Sequence, residues 1–201
     1  TTLFRSLLAK EKDFDLVYPR EQKGVIEAIE ANDVDCLFKN LSFGASPNQR
    51  DNDGIPALCR AIREKKYDFM IMLLNHGAYP NVICQDGNEW RDALAQVIRE
   101  GDRKAFDILL ESFKDKRLHL DEPFLQALTL EWPQDSDGKE SRLYMLEKMC
   151  EVDSDLYSRK DDWDGEPIFN IIALDQAEAL EFLIKKYPQL VEYKKRVAGD
   201  E

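Results

Sequence analysis

The sequence has no long hydrophobic run, few histidines and fewer basic than acidic residues. Its longest apolar stretches, residues 69–74 and 171–174, are far shorter than the roughly 20 residues of a membrane-spanning helix, so we expect no membrane insertion. Lysine and arginine total 28 against 40 acidic residues, a net charge of −12 over 201 residues. Because nucleic acids and anionic lipids attract basic surfaces, this balance disfavours both and favours a protein partner with a basic surface.

The four cysteines lack the paired spacing of a redox or metal motif. Cys36, Cys59, Cys84 and Cys150 are widely separated, and a chain of this size does not need disulfides to hold a core. We therefore expect a reducing, cytoplasmic location, with delivery of a bacterial effector to a host cytosol as an alternative.

A short motif recurs after 33 residues. Residues 44–48 read Gly-Ala-Ser-Pro-Asn, and residues 77–81 read Gly-Ala-Tyr-Pro-Asn. The same offset relates the Asp-Gly pair at 53–54 to the pair at 86–87. Several matches in one register indicate a repeat.

Each repeat is predicted to contain two short helices and a hairpin. In residues 56–64 the apolar positions have helical spacing, and Pro56 suits a first helical turn. Residues 69–74 are apolar nearly all round, as in a helix covered on both flanks, and Gly77 follows where a helix terminator is expected. The Asp-Gly pairs supply tight reversals between units. A unit this small must stack on its neighbours, which predicts an open solenoid.

The stretch from residue 53 to residue 81 resembles an ankyrin repeat. It is flanked by Asp-x-x-Gly at 51–54, contains the paired leucines Leu73 and Leu74, and ends in the Gly-Ala-x-x-Asn motif. The resemblance implies an all-α ankyrin-repeat solenoid of stacked helix-turn-helix units with short hairpin loops. Where the family has Thr-Pro-Leu-His, residues 56–59 read Pro-Ala-Leu-Cys, and Cys59 cannot supply the hydrogen bonds of that histidine, which predicts a less stable member. In this register Cys59 faces the interior and Cys84 lies near a hairpin tip, so we expect the cysteines to share no metal site.

Extending the register divides the chain into a cap, five repeats and a tail. We expect a capping helix in residues 1–18, a repeat domain over 19–195 and a tail at 196–201. The predicted units are about 19–52, 53–85, 86–121, 122–160 and 161–195. A polar insertion at 132–141 is expected to separate the helices of the fourth unit, the second of which is predicted around 143–150.

The sequence contains no recognisable set of catalytic residues. The two histidines, His76 and His119, are far apart; His76 suits a helix C-terminus, and His119 lies in a basic linker. No Gly-x-Ser-x-Gly, phosphate loop or His-Glu-x-x-His is present. Asp-x-Asp-Gly occurs at 51–54, 135–138 and 162–165 without the other ligands of a calcium-binding loop. We expect no enzymatic activity, cofactor or metal.

The resemblance implies that hairpin tips and first helices bind another protein. The predicted partner-binding residues are Arg50, Asp51, Asn52, Ile55 and Arg60 in the second unit, Ile83, Gln85, Asn88, Glu89 and Trp90 in the third, and Lys160, Asp161, Trp163, Asp164 and Glu166 in the fifth.

The three tryptophans fall outside the core pattern of the paired helices. Trp90, Trp132 and Trp163 are therefore either interface hot spots or side chains that pack on their own loops. Trp163 lies in the acidic stretch 151–166, which is either an ordinary solvated face or a docking patch for a basic partner.

The leading hypothesis is a non-enzymatic protein-binding module, monomeric without its partner, that serves as a scaffold, an effector-targeting domain or an inhibitor. One alternative is a substrate-recognition domain of a larger enzyme, and another is an immunity-type inhibitor of a basic bacterial toxin. A HEAT-like helical array is disfavoured by the Asp-Gly turns at the 33-residue spacing.

Overall fold

A computed structural model describes residues 24–86, 89–113, 120–129, 133, 135–156, 171 and 177–188. The predicted capping helix, the tail, Trp132, His119 and the hairpin of the fifth unit lie outside these residues. The described helices and strands are, in chain order, α1 (Val25–Glu30), α2 (Val34–Ser42), α3 (Ala57–Arg63), α4 (Tyr67–Asn75), β1 (Ile83–Asp86), β2 (Glu89–Asp92), α5 (Ala93–Glu100), α6 (Arg103–Ser112), α7 (Asp121–Thr129), α8 (Ser136–Val152) and α9 (Ala177–Lys186).

The first eight helices form consecutive pairs that stack in two layers. Each odd-numbered helix packs on the even-numbered helix that follows it. Helices α1, α3, α5 and α7 contact one another in order and form the first layer, while α2, α4, α6 and α8 form the second. This arrangement confirms the predicted solenoid of helix-turn-helix units. No helix among the described residues is long and apolar enough to cross a membrane.

The helices begin and end at residues whose chemistry suits those positions. Asp33, Asp92, Asp102 and Asp135 are N-caps, and each carboxylate accepts a hydrogen bond from the backbone N–H three residues later. Shortly after α4, Gly77 has a φ of +92°, a left-handed conformation that glycine adopts without strain. The predicted terminator is confirmed.

The repeated glycine-to-asparagine motif connects neighbouring units. The side-chain amide of Asn48 donates to the carbonyl of Gly77 over 3.3 Å, and its oxygen accepts from the N–H of Tyr79 at 2.9 Å. Asn48 therefore makes two hydrogen bonds with the same motif one unit later. These hydrogen bonds give a physical reason why the motif recurs after 33 residues.

The predicted insertion in the fourth unit is wrong over most of its length. Helix α8 starts at Ser136, inside the expected insertion, because Asp135 caps it through the N–H of Gly138 at 2.7 Å. The polar first turn of the helix is exposed, so its sequence resembles a loop. Further along, the buried Arg142 donates to the carbonyl of Ala127 in α7 over 3.1 Å, and its burial lowers the pKa of this guanidinium.

Candidate partner-binding surface

The hairpin tip of the second unit is built around the carboxylate of Asp51. One oxygen of this carboxylate accepts hydrogen bonds from the N–H groups of Asp53 at 3.0 Å and Ile55 at 2.8 Å. Gly54 closes the turn with a φ of +81°. The Asp-x-Asp-Gly segment at 51–54 is therefore a backbone turn, as predicted, and Asp51 shapes the tip from inside it.

Arg60 of α3 fixes this tip to the first-layer helices. Its guanidinium donates to the second oxygen of Asp51 and, at 2.9 Å, to Glu30 at the end of α1. Burial alone would raise the pKa of Asp51, but the hydrogen bonds from Arg60 and from two backbone N–H groups outweigh it and hold that pKa below its ordinary value. The hydrogen bond to Asp51 is also the largest cause of the raised pKa of Arg60.

A polar cavity of about 360 Å³, called here the tip cavity, lies between α1 and this hairpin. Four carboxylates line it against two guanidinium groups. Both cations are engaged within the protein, because Arg60 pairs with Asp51 and Arg50 donates to the carbonyl of Gly54 at 2.7 Å. The lining residues are Gly24, Ile26, Glu27, Glu30, Gln49, Arg50, Asp51, Asn52, Asp53 and Arg60.

The structure thus brings most of the predicted residues of the second unit to one cavity. Arg50 and Asn52 are exposed at the tip, whereas Asp51 and Arg60 hold its shape. Ile55 is half-buried and packs against the hydrophobic core. The carboxylates of Glu27 and Glu30 were not predicted, because they come from the preceding unit and only stacking places them opposite the tip.

Strands β1 and β2 form the hairpin between the second and third units. They pair antiparallel, with Ile83 opposite Asp92 and Gln85 opposite Trp90. Ile83 exposes 46% of its surface and is one of six large apolar residues exposed in the described part of the chain. Arg63 of α3 donates to the backbone carbonyl of Gln85 at 2.6 Å and so ties β1 to the helix.

The expected separation of the cysteines is wrong for one pair. Cys59 of α3 and Cys84 of β1 are joined by a disulfide, and both are buried, with 2% and 4% of their surface exposed. Cys84 does not lie at an open tip, because strand alternation directs it toward α3 between Ile83 and Gln85. Cys36 and Cys150 are free thiols. The premise of the reducing location, four separate thiols, therefore fails, and the cytoplasmic location stays a prediction.

The opposite face of the solenoid also exposes apolar side chains. Ile71 of α4 exposes 42% of its surface, although α2 and α6 cover this helix on both flanks as predicted. Phe38 of α2 is exposed as well and contacts the ring of His76 edge to face. A cavity of about 580 Å³ between α4 and α6 is lined by Ile71, Leu74, Asn75, Asp107, Ile108, Glu111 and Ser112.

Several predicted contact residues fall outside the described part of the chain. Glu89 and Trp90 are placed in β2 by their backbone alone. Within the described residues, no group of three or more histidine, cysteine or acidic side chains is arranged to hold a metal ion. The predicted residues outside the description are Asn88, Lys160, Asp161, Trp163, Asp164 and Glu166.

The chain is similar to ankyrin repeat proteins in sequence and in structure. No protein-family model matches the chain. A fowlpox virus protein named as an ankyrin repeat protein is 36% identical over 55 residues, which are 27% of this chain and 7% of the relative's length. The crystal structure of an ankyrin repeat protein matches 81% of this chain and 97% of its own, with 17% identity and a TM-score of 0.48. The viral match confirms the ankyrin-repeat resemblance over the aligned residues.

Proposed function

We propose that this ankyrin-repeat chain is a protein-binding module that holds a basic segment of a partner along its hairpin tips and first-layer helices. The tip cavity carries the proposal. Two of its four carboxylates, Asp51 and Glu30, pair with Arg60. Glu27 and Asp53 are the exposed carboxylates of the lining that remain for a partner. A lysine or arginine side chain from a partner is the chemistry that this lining complements.

The exposed face of β1 supplies the apolar part of the proposed surface. Arg60 holds the tip at Asp51, and Arg63 of the same helix holds β1 at Gln85. Ile83 and the tip cavity thus belong to two hairpins that α3 anchors. A partner segment that contacts both would combine an aliphatic contact with charge recognition, within an interface on the order of 800 Å² per side.

The proposed role is binding and not catalysis. The described residues of this surface are used for turn formation, ion pairing and hairpin anchoring. A scaffold, an effector-targeting domain and an inhibitor of a basic protein could all use such a surface, and so could a substrate-recognition domain of a larger enzyme.

Charge reversal in the tip cavity tests the proposal. The variant carries Glu27→Lys and Asp53→Lys, two exposed carboxylates of the cavity lining. The matched control carries Asp68→Lys and Glu147→Lys, exposed positions on the second-layer helices α4 and α8. Both variants change the net charge by the same amount, so a difference in partner binding between them depends on where the charges lie.

The assay is co-purification from a lysate of the source organism, read by quantitative mass spectrometry. We expect the wild type and the control to capture the same protein and the cavity variant to lose it. Equal capture by all three forms would refute the proposed surface, and an enzymatic activity of the isolated chain would refute the purely binding role.

A further inference from the structure

We propose that the Cys59–Cys84 disulfide presets the hairpin of β1 and β2 for partner binding and that reduction of this bond weakens binding. The inference rests on the proposed function, because it concerns regulation of the same surface. It begins with the position of the bond, which joins a helix of the repeat core to a strand of the surface hairpin.

The disulfide and the hydrogen bond from Arg63 to the carbonyl of Gln85 join β1 to α3, beside the packing of Cys84 in the core cluster. They act on consecutive residues of the strand, Cys84 and Gln85, and thereby help to fix the segment that exposes Ile83. Loss of the covalent contact would leave this edge of the hairpin held to α3 by non-covalent contacts alone.

Reduction is compatible with a folded repeat domain. The thiols of Cys59 and Cys84 would remain as small apolar side chains in the core cluster to which both residues belong. The bond joins residues 25 positions apart and links a helix to the following hairpin, not two core helices. We therefore expect a local loosening of β1 and β2 and not global unfolding.

The chemistry is thiol–disulfide exchange with a dithiol reductant. A thiolate of the reductant attacks one sulfur of the disulfide, which forms a mixed disulfide and releases the other cysteine as a thiolate that takes a proton. The second thiolate of the reductant then displaces the remaining cysteine. The dithiol supplies two electrons and becomes a disulfide, while Cys59 and Cys84 become two thiols. Because both sulfurs are buried, exchange requires the hairpin to open.

The first test measures the bond and the hairpin without any partner. Alkylation of the full chain, unfolded in urea without reductant, should label Cys36 and Cys150 alone, and labelling of Cys59 or Cys84 would overturn the proposal. Hydrogen exchange followed over times too short for global unfolding to contribute should then show the amides of β1 and β2 exchanging about tenfold faster after dithiothreitol treatment, with the amides of α4 and α6 unchanged. Unchanged exchange in the hairpin would also overturn it.

Variants keep the test independent of the reductant. The double variant Cys59→Ala and Cys84→Ala should reproduce the exchange pattern of the reduced wild type. The variant Cys36→Ser removes a thiol outside the disulfide, keeps an acceptor for the side chain of Asn40 and should behave as the wild type, with and without dithiothreitol. A response of the double variant to dithiothreitol would assign the effect to another group and overturn the proposal.

The second test uses a fluorescein-labelled peptide of alternating lysine and leucine residues, followed by anisotropy, because it carries charge for the tip cavity and apolar side chains for Ile83. We expect the oxidised chain to bind the peptide and the reduced chain to bind it roughly tenfold more weakly, because a loosened hairpin must be ordered again on binding. Equal binding by both forms, with the hairpin loosened, would refute the regulatory role alone. No binding by either form would refute the basic partner of the proposed function and, with it, the regulation.

Discussion

Replacement of Asp51 tests the internal framework of the candidate surface. Asp51→Ala removes the acceptor of two backbone N–H groups and the ion-pair partner of Arg60. The side chain of Asp51 is only 6% exposed, so its hydrogen bonds are shielded from water. Hydrogen bonds to a charged group contribute about 1.5–3 kcal/mol each, without simple addition, and we expect Asp51→Ala to lower the free energy of unfolding by about 3 kcal/mol.

Asp51→Asn distinguishes the contribution of the ion pair to stability from that of the turn. The amide oxygen can still accept from the N–H groups of Asp53 and Ile55, whereas the charge opposite Arg60 is lost. We expect this variant to lose about 1.5 kcal/mol, roughly half of the effect of alanine. Asp53→Ala is the control, because it removes an exposed carboxylate of the same turn and should change the stability by less than about 0.5 kcal/mol.

The pH dependence of stability gives a second measure of the same framework. Because folding lowers the pKa of Asp51, its contribution is present above the pKa of the unfolded chain and is lost as the pH falls through the lower, folded value. Urea unfolding followed by circular dichroism, at neutral pH and at successively more acidic pH, should show the stability gap between wild type and Asp51→Asn shrinking as the pH falls. A gap that is absent at neutral pH, or that grows toward acidic pH, would refute the assigned role of Asp51.

Three further changes test other parts of the structure. Cys59→Ala with Cys84→Ala opens a loop of 25 residues and should cost about 3.5 kcal/mol in urea unfolding by the loop-entropy relation, with Cys36→Ser as the control that keeps the acceptor of Asn40. Asn48→Ala removes both contacts with the motif of the next unit and should cost about 1–2 kcal/mol; equal stability would show that the asparagine does not couple the units. Leu73→Ala leaves a cavity at a fully buried position of α4 and should cost about 2–5 kcal/mol in the same urea-unfolding measurement. The cost is smaller if neighbouring side chains collapse into the cavity.

The helices could be predicted because their determinants are local. Apolar spacing located α3 and α4 to within about two residues, and the cap and terminator residues lie next to the boundaries that they set. The start of α8 was missed for the same reason. Its first turn is stabilised by Asp135 but carries almost no apolar signal, and the buried residues begin only at Arg142.

The site could be predicted only in part, because it combines residues of different units. The turn chemistry identified Asp51, but nothing in one unit indicates that Glu30 of the preceding unit meets Arg60 at 2.9 Å. The exposure of Ile71 was missed because the composition of one helix does not reveal which of its sides the neighbouring helices leave open. Both features depend on how units stack, which periodicity indicates but does not describe.

Cys59 has different consequences in the sequence and in the structure. Where the resemblance expects a histidine, a cysteine should lower the stability, because a thiol is a poor hydrogen-bond donor. In the structure this cysteine instead forms a covalent bond to Cys84 of the hairpin. A hydrogen bond at this position would hold the hairpin under all redox conditions, whereas a disulfide holds it only while oxidised. The stability of the chain and the position of Ile83 thus depend on the same disulfide. A reductant that lowers the stability should therefore also change how Ile83 is presented to a partner.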